Sequence, residues 1–253
     1  MYRKNGRFRQ MAEEFLAAIS IAKKDVRIYY MQPPVIMFGF VFPGFTYLAF
    51  TIGRSLDPTL LIPGLAAITS FFAGGSIGPA VLPLERKTKT LDRLLEAPLS
   101  PLAIILGKTL SGAAFGLTMS LVPLLIGLIF LGMQIANLPL LVSSAVLSAL
   151  TFAAFGIFFA ARAEEMPSAM MPMNLVRFPM LFISGVFIPL ASMPGFLRPI
   201  AYLMPLTYGV DAMRQTVLGP LNPMMLLADL VALSLFLALF LGAATMALRR
   251  DVR

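Results

Sequence analysis

Four stretches of this 253-residue chain contain no Asp, Glu, Lys or Arg: residues 28–53, 58–84, 109–161 and 230–248. A helix that crosses the hydrocarbon core of a bilayer needs about 20 apolar residues at about 1.5 Å of rise each, and the third stretch is long enough for two. Charged residues make up 13% of the chain, about half the share usual in a soluble domain. The expected fold is therefore an all-α integral membrane protein, read as a single domain over residues 1–253.

The chemistry open to such a chain is narrow, because it has no Cys and no His. Without Cys there are no disulfides, thiolate nucleophiles or cysteine metal sites. Without His there is no imidazole base, and the commonest transition-metal ligand is missing. A lipid-modifying enzyme would have to use Glu164, Glu165, Asp92 and Ser or Thr residues, and these show no recognisable pairing.

Six spans are expected near 33–53, 60–84, 103–131, 138–161, 170–190 and 226–248. Gly132, Gln134, Asn137 and Pro139 supply the turn that divides the long third stretch. With six spans both termini share one side. Sixteen of the 20 Lys and Arg residues fall on that side, while Arg54, Arg198 and Arg214 fall on the other and Arg177 lies within a span. The positive-inside rule then makes both termini cytoplasmic. The net charge of +8 is mainly this topology signal, so no nucleic-acid partner is expected. A charged stretch of 27 residues precedes the first apolar run, so no cleaved signal peptide is expected.

Residues 8–27 read as an amphipathic helix on the membrane surface. Phe8, Met11, Phe15, Ile19, Ala22 and Val26 recur at spacings of three and four, with Arg9, Glu13, Lys23 and Lys24 between them. The same helix is also placed to contact a cytoplasmic partner.

Residues 85–101 form a polar block between two apolar runs. Thr88 or Thr90 caps a short helix there, with Asp92 near its positive dipole end. Leu91, Leu94 and Leu95 make one apolar stripe, and Pro98 and Pro101 end the helix and redirect the chain. Charge alone would make this an ordinary cytoplasmic loop. The order of residues adds more: Glu85-Arg86, Thr90, Leu94, Ala97-Pro98 and Ser100 resemble the cytoplasmic loop of ABC transporter permeases of the type 2 family. Lys89 stands where that family has Gly, which is expected to lengthen the helix at its start. The resemblance continues through Phe182-Ile183-Ser184-Gly185-Val186-Phe187-Ile188-Pro189, Met193-Pro194, Pro205-Leu206-Thr207-Tyr208 and Asp211-Ala212-Met213-Arg214.

This resemblance implies a half-transporter in the plasma membrane of a prokaryote. Two copies would form the pathway, and each would dock one ATP-binding subunit through Glu85, Arg86, Thr90, Leu91, Leu94 and Pro98. It implies no cofactor in this chain, with ATP and Mg bound by the partner. Gly107-Lys108-Thr109 is similar to the end of a phosphate-binding loop, but the required first Gly would be Leu102. Lys108 is instead expected to snorkel at the inner end of its span.

Residues 191–223 are too rich in Pro and Gly for one helix and too apolar for a free loop. Short re-entrant helices on the outer side are expected, acting by family resemblance as a gate. Asp211 and Arg214, at i and i+3, are expected to pair locally. Arg177 is expected to snorkel to the inner surface, with a functional role as the competing reading. Following the family's layout, Phe71, Phe72, Arg177, Phe178, Met180, Phe182 and Phe187 line a hydrophobic path. Gly74 to Gly78 and Gly112 to Gly116 have the spacing of close helix packing.

The expected function is the membrane subunit of an ATP-driven exporter for a hydrophobic or amphiphilic solute such as a drug, a lipid or a lipid-linked molecule. Sodium or glycan export, a lipid-modifying enzyme and a passive channel subunit are the alternatives.

Overall fold

The computed structural model describes residues 2–29, 58–188, 190–217 and 222–251, with positions 37, 41, 45 and 48; on the first helix, side chains are described from Glu13 to Arg27. Among these residues the regular elements are helical: α1 (Tyr2–Tyr29), α2 (Pro58–Lys87), α3 (Thr90–Glu96), α4 (Pro101–Phe130), α5 (Leu138–Ala160), α6 (Met166–Ile183), a 3-10 turn (Leu190–Ser192), α7 (Arg198–Tyr202), α8 (Pro205–Val217) and α9 (Pro223–Asp251).

Among the described residues four helices are long and apolar enough to cross a membrane: Leu60–Lys87, Pro101–Phe130, Leu138–Ala160 and Pro223–Arg249. They correspond to the spans expected at 60–84, 103–131, 138–161 and 226–248. The expected first span, 33–53, lies outside the described residues apart from the isolated positions. The expected fifth, 170–190, overlaps α6, which begins and ends earlier and is not one of these four helices. Helix α6 ends at Ile183 because the chain turns at Gly185, whose φ of 84° is open to glycine at little cost. The division of the long apolar stretch falls where its turn residues put it. Gly132 has a φ of 65°, and the Asn137 side chain caps α5 by accepting from the Leu140 N–H at 3.1 Å.

Helix α2 is the centre of the bundle. Of its most apolar window 94% is buried, against 22% for α9, so α2 is packed by the chain itself and α9 is largely exposed. Small residues make this possible. A Cβ on Gly74 would come within 2.9 Å of the Gly112 carbonyl, and one on Gly112 within 2.8 Å of the Gly74 carbonyl. On the other side, Gly156 of α5 lies so close to Gly75 that a Cβ would overlap the Gly75 carbonyl. Backbones approaching this closely gain dispersion contacts that larger residues would block. The small-residue spacing therefore serves helix packing, as expected.

The amphipathic α1 extends past 8–27 at both ends, and it has two apolar faces. The predicted stripe points outward: Phe15, Ile19 and Val26, together with Leu16, are exposed. The second, made of Ala18 and Ile21, is buried, and Asp25 is buried one turn further along it. This face lies over α4 at Gly107, where an added Cβ would be 2.8 Å from the Ala18 carbonyl.

Beyond α6 the chain is broken into short pieces, as the prolines require. The expected Asp211–Arg214 ion pair is not what forms there. Arg214 donates instead to three backbone carbonyls: Nε to Leu60 at 3.1 Å, one terminal nitrogen to Gly185 at 3.1 Å, and the other to Val186 at 3.1 Å. Leu60 lies in the first turn of α2, while Gly185 and Val186 lie in the turn after α6; each carbonyl has two lone pairs and has room for a side-chain donor. The guanidinium fork satisfies them and fastens α8 to both.

Candidate functional site

The polar block folds as its stripe predicts. α3 lays Leu91 completely into the protein, with Leu94 and Leu95 half-buried around it, against Leu82 of α2, Ile104 and Ile105 of α4, and Ile157 and Ala160 of α5. Lys87, Thr88, Lys89, Asp92, Arg93, Glu96 and Pro98 remain exposed. The cap differs from expectation. Neither Thr88 nor Thr90 caps α3; the N-cap is Lys89, with no side-chain cap bond. The hydroxyls of Thr88 and Thr90 share a hydrogen bond of 3.0 Å, and Thr88 also donates to the Leu84 carbonyl at 3.1 Å.

Lys89 does not lengthen the helix. Its φ of 55° and ψ of 18° are left-handed, and this break between α2 and α3 turns the short helix. An L side chain pays about 1–2 kcal/mol in that conformation, which is the physical reason for glycine at such a position.

At the last turn of α2, just before the break that leads into α3, lies a buried cluster of charges. Glu85, at the last turn of α2, accepts from Lys24 of α1 and from Lys108 of α4. Lys108 also donates to both oxygens of Asp25, at 2.9 and 3.2 Å. Lys24 lies 3.1 Å from Asp25. Two cations thus face two anions, with Asp25, Glu85 and Lys108 at most 1% exposed. Burial pushes the Asp25 carboxyl above its ordinary value; the Lys108 ammonium opposes the shift and the Glu85 charge adds to it. Burial works against the charge on Lys24, yet its hydrogen bond to Glu85 and the two nearby carboxylates leave it above its ordinary value.

Further contacts tie the block to its surroundings. Ser100, the N-cap of α4, accepts from the Ala103 N–H at 3.2 Å and donates to Glu14 of α1 at 3.1 Å. Arg86 donates to the Ala161 carbonyl at the end of α5. Lys87 pairs with Glu165, just before α6, at 3.1 Å.

The residues singled out in the sequence therefore occupy different levels. Glu85 and Leu91 are buried in the foundation, Arg86, Thr90 and Leu94 are half-buried, and Pro98 is exposed. Lys108 does not snorkel, because α1 lies across α4 and brings it an acid. Lys24, Asp25, Glu14 and Glu165 were not singled out as part of this site. The available signal was a lone lysine within an apolar span and a lone acid among the basic residues 23–27.

The path residues also separate. Phe71, Phe72, Arg177 and Met180 are inside the packed core, while Phe178 and Phe182 are exposed and Phe187 is half-buried. The rings of Phe71 and Phe152 stand 5.0 Å apart, and those of Phe72 and Phe178 6.0 Å apart. Arg177 is fully buried, which overturns the snorkelling reading. Met173, Arg177 and Met180 share the face of α6 that packs inward, and that face points the side chain into the protein core.

Comparisons with known proteins agree with this architecture. Residues 18–218 match the family described as ABC-2 type transporter. The chain is 24% identical over 197 residues to the inner membrane transport permease YadH of Escherichia coli K12, covering 78% of this chain and 73% of the relative. It is 22% identical over 198 residues to the probable multidrug ABC transporter permease YbhS of the same organism, covering 78% of this chain and 52% of YbhS. Over 130 residues, half of this chain and 34% of the relative, it is 30% identical to the inner membrane transport permease YhhJ. A multi-pass helical membrane protein that matches this family over most of its length belongs to it: the chain is an ABC-2 type transporter permease, a membrane subunit of an ABC transport system.

Proposed function

We propose that this permease exports a hydrophobic or amphiphilic solute from the cytoplasm, driven by a separate ATP-binding subunit that docks on α3. The observation that carries the reading is the mounting of α3. A short helix with an exposed polar face is joined within a few residues to α2 and α4, and buried charges tie those two helices to each other and to α1. Force applied to such a helix passes into both spans and into α1 together, because a broken buried ion pair costs about 3–5 kcal/mol.

In this reading the docking face consists of the exposed Lys87, Thr88, Lys89, Asp92, Arg93, Glu96 and Pro98. Glu85 and Leu91 act beneath that face, as its footing. Two copies of the chain and two ATPase subunits make the working unit, with ATP and Mg on the partner. The full permease has six spans, with residues 33–53 as the first and α6 as the fifth, in a prokaryotic plasma membrane. Both termini and α3 are cytoplasmic, as the Lys and Arg distribution favours. Residues 191–223 form the outer gate. The names of the relatives, two inner membrane transport permeases and a probable multidrug permease, favour the location and a drug-like solute.

The test is co-purification with a soluble ATPase, followed by solute-stimulated ATP hydrolysis in reconstituted vesicles. Reversing charges on the exposed face, Asp92→Arg with Arg93→Glu, should lower ATPase recovery and abolish stimulation while the permease stays folded. Unchanged recovery and stimulation would remove α3 as the docking element.

A further inference from the structure

We propose that Arg177 is a recognition site for the anionic group of an amphiphile, a phosphate or carboxylate carried on a hydrophobic body. This rests on the transport reading above and names the substrate class for it.

Arg177 is 0% exposed in the middle of α6, and the groups that hold it are all neutral. One terminal nitrogen donates to the Ser76 hydroxyl at 3.1 Å, and the other to the Met173 sulfur at 3.3 Å. The guanidinium carbon lies 5.1 Å from the Phe71 ring centre and 4.7 Å from that of Phe72. Its Nε has no hydrogen-bond partner. No carboxylate among the described residues forms an ion pair with it; the salt-bridged acids are Asp25, Glu85 and Glu165. Residues 28–53 contain no Asp or Glu, so that apolar run has none to offer either.

A buried charge without a counter-charge costs several kcal/mol, and an apolar side chain of similar volume would fill the space at lower cost. Ring faces and neutral dipoles recover only part of that cost. The fold nevertheless makes room for the group: a Cβ on Gly75 would sit 2.5 Å from the guanidinium. One turn earlier on α6, the Asn174 side-chain oxygen is also buried without a partner. An unneutralised planar fork is suited to the paired oxygens of a carboxylate or phosphate. Phe71, Phe72, Met173 and Met180 around it suit an acyl or aryl body. Entry requires the core to part at α2 and α6, so the charge is completed only when the pathway is open and occupied.

The experiment measures binding to the full chain, purified in dodecyl maltoside, of dodecyl phosphate, dodecanol, dodecyltrimethylammonium and inorganic phosphate. Wild type should bind dodecyl phosphate at least about tenfold tighter than dodecanol, as expected for hydrogen bonds to a charged group. Arg177→Lys should keep part of that preference. Arg177→Met should lose it while binding dodecanol unchanged. Inorganic phosphate binding as tightly as dodecyl phosphate would make the ligand a free anion and overturn the amphiphile assignment. No anion preference in wild type, or the same preference in Arg177→Met, would overturn recognition altogether. If Arg177→Met fails to fold, the wild-type probe series and Arg177→Lys still decide the question. No ATPase is present in this assay, so its failure is distinct from a failure of ATPase docking.

Discussion

The Lys108 ammonium donates to the Asp25 carboxylate at 2.9 Å across 83 residues of sequence, and to Glu85 as well. One nitrogen thus joins the surface helix α1, the end of α2 and the start of α4. The two anions it holds apart belong to elements that could otherwise shift independently. Asp25 and Glu85 raise the cost of each other's charge, so the cation between them matters more than either acid does.

Lys108→Met should therefore be far more damaging than Asp25→Asn. Removing the ammonium leaves two buried carboxylates served only by Lys24, at a cost of about 3–5 kcal/mol. In Asp25→Asn the amide oxygen still accepts from Lys108 and Glu85 still neutralises it, so the cost is about 1 kcal/mol. Unfolding of the purified variants in detergent gives the order, and equal losses would contradict the arrangement.

The same cluster sets a pH dependence. The folded-state value of Asp25 is raised above 3.8 by burial, so the folded protein binds that proton more tightly than the unfolded chain does. Its contribution to stability is complete below 3.8 and declines as pH rises through the raised folded value. Asp25→Asn removes this decline. The stability of the variant relative to wild type should therefore improve as pH is raised from about 4, and a difference independent of pH would refute the assignment.

Lys89→Gly should stabilise the permease by about 0.5–1 kcal/mol. It relieves a left-handed side-chain penalty of about 1–2 kcal/mol and loses part of that gain to the larger entropy of glycine in the unfolded chain. Lys89→Val should destabilise, since a branched Cβ is worse still at positive φ. Thermal unfolding of the two variants should move in opposite directions.

Gly156→Ala should be among the worst single substitutions in the protein, because its Cβ meets the Gly75 backbone and backbone cannot rotate away. Overpacking of this kind costs about 1–3 kcal/mol or more. Gly242→Ala, with nothing within 4 Å of the new carbon, serves as the control and should be neutral or slightly stabilising by helix propensity. Yields of folded protein after membrane extraction would separate the two.

The sequence by itself determined the membrane class, the helices flanking the polar block, the turn at Gly132 to Pro139 and the inward stripe of Leu91, Leu94 and Leu95. These follow from runs, spacings and breakers that act within one element. Only the tertiary structure decided what the buried charges do. Arg177, Lys108 and Arg214 each read as residues reaching towards water or a local partner, and each instead meets groups far away in the chain: Ser76, Asp25, and the carbonyls of Leu60, Gly185 and Val186. A charge in an apolar helix is satisfied by whatever polar group the packing brings within about 3 Å, and helix periodicity carries no record of which helix will be the neighbour.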